Sequence, residues 1–154
     1  MENDNPKVEE LAVNECWALL RTKEIGRLAV SVDDDPDIFP LNYVVDHGTI
    51  VFRSAPGTKM SAALSNPRVA LEVDGYLPEP HEAWSVVVKG SAEGIREIGD
   101  LMDTVDLPLS PWQGGAKNFF IRLVPTSVTG RRFAVADPAA WRTPLSGTRR
   151  SPME

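Results

Sequence analysis

Three stretches of this chain alternate apolar and polar residues with a period of two, and that period constrains the fold class more than anything else in it. Leu28, Val30 and Val32 alternate with Arg27, Ala29 and Ser31; Val69, Leu71 and Val73 alternate with Ala70, Glu72 and Asp74. In Asn118–Val124, Phe119, Ile121 and Leu123 take one side. Successive side chains of an extended strand point to opposite faces, so each stretch reads as a strand with one face in a core. The polar run Asp33–Asp37 is a turn, and Asp46-His47-Gly48 is a hairpin turn between Ile38–Val45 and Thr49–Arg53. Strands that follow one another through hairpins favour an antiparallel sheet or barrel over a doubly wound sheet.

The remaining elements are shorter. A helix is expected near Asn14–Thr22, with Asn14 as its cap and Cys16, Leu19 and Leu20 towards the core. Further helices are expected over 58–64 and 96–105. Pro40 marks an edge or an interruption in its strand. Residues 75–82 hold two prolines and read as a loop. Trp84–Lys89 is a β-branched-rich strand, and Gly90 suggests a bulge before it continues towards Ile95. Pro125 breaks the last extended region into Asn118–Val124 and Ser127–Phe133. The count is about six strands with short peripheral helices: residues 1–8 disordered, 9–136 one folded domain, and 137–154 a flexible tail.

Bulk properties narrow the partners. At 154 residues the chain suits one domain. The formal net charge of -6 argues against nucleic acid, whose phosphates select basic surfaces. No apolar run approaches the ~18 residues of a bilayer span, and the polar N-terminus is not a signal peptide. Cys16 is the single cysteine, so the reading is a cytoplasmic, reducing compartment. His47 and His81 stand far apart and suggest neither a metal cluster nor a catalytic triad.

Against that acidic background, Thr49–Lys59 concentrates donors. It runs from a strand through Arg53 and Ser54 into Pro56-Gly57 and a helix start at Thr58-Lys59. Guanidinium, ammonium, hydroxyl and unpaired backbone N–H groups at a helix start together suit a small phosphate. The competing reading is a solvated turn before a capped helix. The pattern of a Walker loop is absent.

Several segments, taken in order, resemble the FMN-binding split-barrel family, also called pyridoxamine 5′-phosphate oxidase-like. They are Glu15–Leu20, Gly26-Arg27-Leu28, Ile38–Asp46, Arg53–Lys59, Glu72-Val73-Asp74, Ala83–Gly90 and Thr129-Gly130-Arg131-Arg132, so the likeness covers roughly residues 9–134. It implies a six-stranded antiparallel split β-barrel, a homodimer, and FMN at the interface. It also implies that Arg53, Ser54, Thr58 and Lys59 hold the flavin phosphate. The backbone of Pro40, Leu41, Asn42 and Tyr43 would lie along the ring edge. Trp84, Ser85 and Val86 of a second copy would close over the ring, and Trp112 would cover it or anchor its loop. For Trp84 a core or dimer contact is the alternative. Arg131 and Arg132 either approach the flavin or pair with acids, and Glu72 and Asp74 pair with Arg27 or Arg122.

The chain departs from the family's founding enzymes. Those carry a C-terminal Arg-x-His and end in Arg-Leu-x-Pro; here no histidine follows His81. The expected function is therefore FMN binding with oxidoreductase chemistry between a nicotinamide-type donor and a small acceptor, not vitamin B6 oxidation. A non-catalytic flavin carrier or sensor, or a reductase using deazaflavin F420, are the alternatives. Haem, which related split barrels also bind, finds no evident axial ligand. The catalytic residues are left unassigned.

Overall fold

The computed structural model describes residues 7–54, 66–95, 119–135 and 152–153. They form β1 (Val8–Glu10), α1 (Val13–Leu20), β2 (Ile25–Val32), β3 (Asp35–Asp46), β4 (Thr49–Ser54), β5 (Arg68–Leu77), β6 (Glu82–Gly94) and β7 (Phe119–Ala134). The expected helices over 58–64 and 96–105, and the tail from 137 to 151, lie outside the described residues.

All pairings are antiparallel. The order β7-β4-β3-β2-β5-β6 returns to β7, so six strands close into a barrel. β7 makes the closure possible by its length. Its first residues pair with β4 on one side (Phe52↔Ile121), its last pair with β1 (Glu10↔Arg131), and β6 runs along its whole other edge.

Alternation fills the interior. Leu28, Ile50, Phe52, Leu71, Val73, Val86, Val88, Ile121 and Leu123 all point inward and are fully buried. α1 packs against β6 and β7 and contributes the buried Cys16 and Leu20. It starts at Val13, one residue before the expected boundary. Ala12 occupies the cap without a side-chain hydrogen bond, so Asn14 is not the cap. Burial of one face, not capping, therefore holds this eight-residue helix. Gly130 lies beneath it, where a Cβ would stand 2.6 Å from Cys16 Sγ.

Three boundaries differ from the sequence reading. β1 begins at Val8, inside the segment expected to be disordered, and adds a short strand beside the six long ones. β5 continues through Gly75 to Leu77 where a loop was expected, because Gly75 accommodates the Trp84 indole opposite it. Pro125 does not end a strand. β7 passes through it, with Lys89 paired to Ser127 and Gly90 to Pro125, so Thr126 is the extra residue of a bulge. The bulge anticipated at Gly90 is thus present.

Pro40 marks an edge. Tyr43 N–H bonds the Glu24 carbonyl, which sets the odd-numbered N–H groups of β3 towards β2. The even-numbered groups face the other edge. There Pro36 and Pro40 have no N–H, and Ile38 N–H is taken by Asp37 Oδ1 at 2.9 Å. This edge offers acceptors in place of donors, a recognised protection against pairing with other chains.

Two polar contacts brace the barrel. The Tyr43 hydroxyl, buried beneath α1, donates to the Leu20 carbonyl, and burial raises its pKa. Tyr43→Phe orphans that carbonyl at the helix end and is expected to cost about 1–2 kcal/mol in chemical denaturation. On the outer face of the barrel, Arg122 Nη1 donates to Asp46 Oδ2 at 2.8 Å and to Thr49 Oγ1 at 2.6 Å, clamping the β3–β4 hairpin to β7. The hydrogen bond from Arg122 holds the Asp46 carboxyl below its ordinary pKa. The linkage has one sign: this stability is present above the unfolded value of about 3.9 and is lost as pH falls through the lower folded value. Asp46→Asn should cost about 1–3 kcal/mol at pH 7 and flatten the acid limb of a stability–pH curve below about pH 4.

Candidate functional site

The register sorts the expected ligand-binding residues into two sets. Leu41, Tyr43, Trp84 and Val86 point into the barrel and are buried, so their side chains are core. Pro40, Asn42, Arg53 and Ser85 have the opposite parity and stand on the outer face. For Trp84, then, the core alternative holds: its indole packs on Gly75. Thr58, Lys59 and Trp112 lie outside the described residues, and Ser54 closes β4.

Asn42 and Arg53 come together. Tyr43 pairs with Phe52, so the residue before the first and the residue after the second are neighbours on the outer face. Each has a notable environment. The Arg53 guanidinium lies over the Phe120 ring, 5.5 Å from its centroid, in a cation–π arrangement with its cross-strand partner. Asn42 Oδ1 is buried and accepts no hydrogen bond. A buried acceptor left unpaired costs ~1–3 kcal/mol, so native proteins keep few of them. This one lies on the face where a ligand was expected, beside a cation on the strand that leads to Pro56-Gly57-Thr58-Lys59.

Next along the barrel, Arg27 Nε bonds Glu72 Oε2 at 2.6 Å, and its Nη2 bonds Asp74 Oδ2 at 2.9 Å. This is the structural pairing expected of the two acids. Desolvation keeps the Glu72 carboxyl above its ordinary pKa in spite of Arg27. With one guanidinium against two carboxylates, the cluster adds no net cation to the Asn42–Arg53 face.

Ser85 sits apart from that face. β2 and β5 separate β3 from β6, a distance of about 14 Å along the sheet at 4.7–4.9 Å per strand. There Ser85 lines a cavity of about 390 Å³ with Glu10, Val87, Thr129 and Arg131. Arg131 is opposite Ser85 on β7. Arg132 instead reaches Glu82 at 3.0 Å and Glu15 at 3.9 Å, an ion-pair role. Sequence reasoning missed Phe120 as the platform for Arg53. The signal was present: Ile121 and Leu123 face inward, so the aromatic next to Ile121 must face out.

Among the described residues no group of His, Cys, Asp and Glu is arranged to hold a metal, and no helix is long and apolar enough to cross a membrane. Cys16 is buried, and burial raises its thiol pKa. Among the described residues the site therefore offers a cation, a buried acceptor and backbone acceptors on the outside of a barrel, with no acid–base pair.

Comparison with known proteins places the fold among relatives. A FAD binding protein from Mycobacterium smegmatis is 37% identical, with a TM-score of 0.72 over 82% of this chain and 98% of that one. A FAD-binding protein from Mesorhizobium loti is 28% identical, with a TM-score of 0.70 over 85% of this chain and 100% of that one. An uncharacterized protein of Mycobacterium tuberculosis is 32% identical over 143 residues, 90% of this chain and 91% of the relative. Residues 12–132, from the start of α1 to the last turn of the barrel, match the family model described as pyridoxamine 5′-phosphate oxidase. With its six-stranded closure, its β4 arginine and that match, the chain belongs to the pyridoxamine 5′-phosphate oxidase-like split-barrel family.

Proposed function

We propose that this protein binds FMN on the outer face of β3 and β4, at the seam of a homodimer, and uses it as an oxidoreductase. The observation that carries the reading is the buried, unpartnered Asn42 Oδ1 next to Arg53. A flavin satisfies both at once. Its pyrimidine edge offers an N–H to the amide carbonyl, and its phosphate offers two negative charges to the guanidinium, Ser54, Thr58 and Lys59. The carbonyl of Pro40 lies on the same edge of β3 as a further acceptor. The bound flavin supplies hydride and electron transfer; the chain's own residues bind it, orient it and exclude water. This division of labour fits a site without an acid–base pair.

The separation of Ser85 from Asn42 supports the two-copy arrangement, given that Ser85 also meets the ring. One barrel holds them three strands apart, so both can meet one ring only if a second copy presents its Ser85 face. The donor is a nicotinamide-type molecule and the acceptor a small quinone-, nitro- or oxygen-type molecule. The relatives described as FAD binding make FAD a second candidate, because it shares the isoalloxazine and its first phosphate with FMN. F420 is a third, and a carrier without turnover is the non-enzymatic alternative.

One preparation tests the reading. The full chain should purify yellow, with flavin bands between about 300 and 550 nm, and the pigment released by heat should run as FMN by chromatography. FAD or F420 in its place would change the cofactor; a colourless protein that quenches neither flavin's fluorescence would end the proposal. Nicotinamide oxidation no faster than with free FMN would leave a carrier. Asn42→Leu separates fit from fold: the flavin-free protein should gain about 1 kcal/mol while flavin affinity falls about tenfold, as expected when an unsatisfied buried acceptor is removed.

A further inference from the structure

A second concavity, an open groove of about 540 Å³, crosses the outer face of β2, β5 and β6 away from Asn42 and Arg53. Its floor is the cross-strand pair Ala29 and Ala70, whose methyl groups leave a depression where longer side chains would stand. Arg68 and Lys89 form the rim. Lys89 pairs with Ala70 and Arg68 with Ser91, so the two cations are diagonal neighbours across the β5–β6 ladder, about 7–8 Å apart at the backbone. Ser31 and Ser91 add hydroxyls, and no carboxylate lines the groove. The β7 bulge places Thr126 on the wall, its hydroxyl donating to the Lys89 carbonyl at 3.3 Å.

What sets Arg68 and Lys89 apart is that they share one groove whose lining holds no carboxylate. Arg27, Arg122 and Arg132 each lie against carboxylates. The side chains of Arg68 and Lys89 make no ion pair or hydrogen bond among the described residues, nor do the hydroxyls of Ser31 and Ser91. Two neighbouring positive charges repel, and in a chain of net charge -6 carboxylates are plentiful. Two such charges converging on one concavity lined by no carboxylate suit an anion. Two cations match a doubly charged phosphate better than a single carboxylate, with the guanidinium as a two-pronged donor and the ammonium as a point charge. The volume is that of a small-molecule site, larger than a bare anion needs.

We propose that this groove binds a small phosphate-bearing molecule of nucleotide size. The site does not depend on the flavin reading, since it shares no residue with the Asn42–Arg53 face. Calorimetric titration of the full chain as purified, with 5′-AMP and with adenosine as probes, tests it. AMP should bind, adenosine should bind at least tenfold more weakly, and excess inorganic phosphate should displace AMP. Arg68→Gln with Lys89→Gln should weaken AMP at least tenfold with the melting temperature unchanged. Ala70→Leu, which fills the floor and leaves both charges, should do the same, whereas Arg53→Ala should not. The proposal is overturned if wild type fails to bind AMP, as it would were a second copy covering this face. It is equally overturned if adenosine matches AMP, if the double variant binds like wild type, or if Ala70→Leu leaves AMP affinity intact.

Discussion

Gly90→Ala should cost this barrel more than 3 kcal/mol, enough to lower its melting temperature by roughly 10 °C at about 2–4 °C per kcal/mol for a domain of this size. A Cβ at Gly90 would lie 2.0 Å from the Val124 carbonyl oxygen, 2.8 Å from its carbon and 2.9 Å from Pro125 Cα. All three are backbone atoms, so no rotamer change relieves the contact. β6 and β7 would have to part at the bulge, and their ladder is what closes the barrel. Ordinary overpacking costs about 1–3 kcal/mol where side chains can yield; here the ladder must yield. Gly75→Ala is the comparison. Its Cβ would meet Trp84 Nε1 at 2.5 Å, but an indole can shift, so that loss should be smaller. Thermal and urea denaturation of both variants would decide. A Gly90→Ala protein melting within about 2 °C of wild type would mean the strands are not joined there as described.

That bulge was legible before the structure because a glycine inside a β-branched run has few other uses. The long strands were legible for a similar reason: a half-buried strand writes its parity into the sequence. β1 was not. Three exposed residues, two of them glutamates, carry no alternation, and the strand exists because β7 extends past β4 and leaves an edge to cover. Pro125 misled because a proline removes a ladder donor, and only the register reveals that the bulge absorbs the loss.

The candidate site was legible in part, and the division has one cause. Alternation can assign faces, and the register of the strands puts Arg53 and Ser85 on the outer one. The resemblance named whole segments, and a segment such as Trp84-Ser85-Val86 sends its members to both faces. Asn42 illustrates what no sequence rule supplies. That its carbonyl is buried yet unpaired depends on how β2, β3 and β4 pack around it, which is tertiary information.

Removing the phosphate anchor should have the largest effect on binding. Arg53→Ala with Lys59→Ala removes the two charges proposed to hold the phosphate, each through a charge-assisted hydrogen bond worth about 1.5–3 kcal/mol. The sum, about 3–6 kcal/mol, corresponds to a loss of affinity between roughly 150-fold and 10⁴-fold. Flavin fluorescence titration reads it directly, and the double variant should purify colourless. Arg53 lies on the outer face, so its loss should leave the melting temperature of the flavin-free protein within about 2 °C of wild type. Phe120→Leu refines the test. It removes the ring beneath the guanidinium but keeps the charge, so a stacked, pre-positioned arginine predicts a loss of about thirtyfold or less, in keeping with ~0.5–2 kcal/mol for a cation–π contact. If the double variant keeps flavin within threefold of wild type, the phosphate is not held on β4. The Ser85–Arg131 cavity then becomes the next place to test, with Arg131→Ala as the variant that should release the pigment.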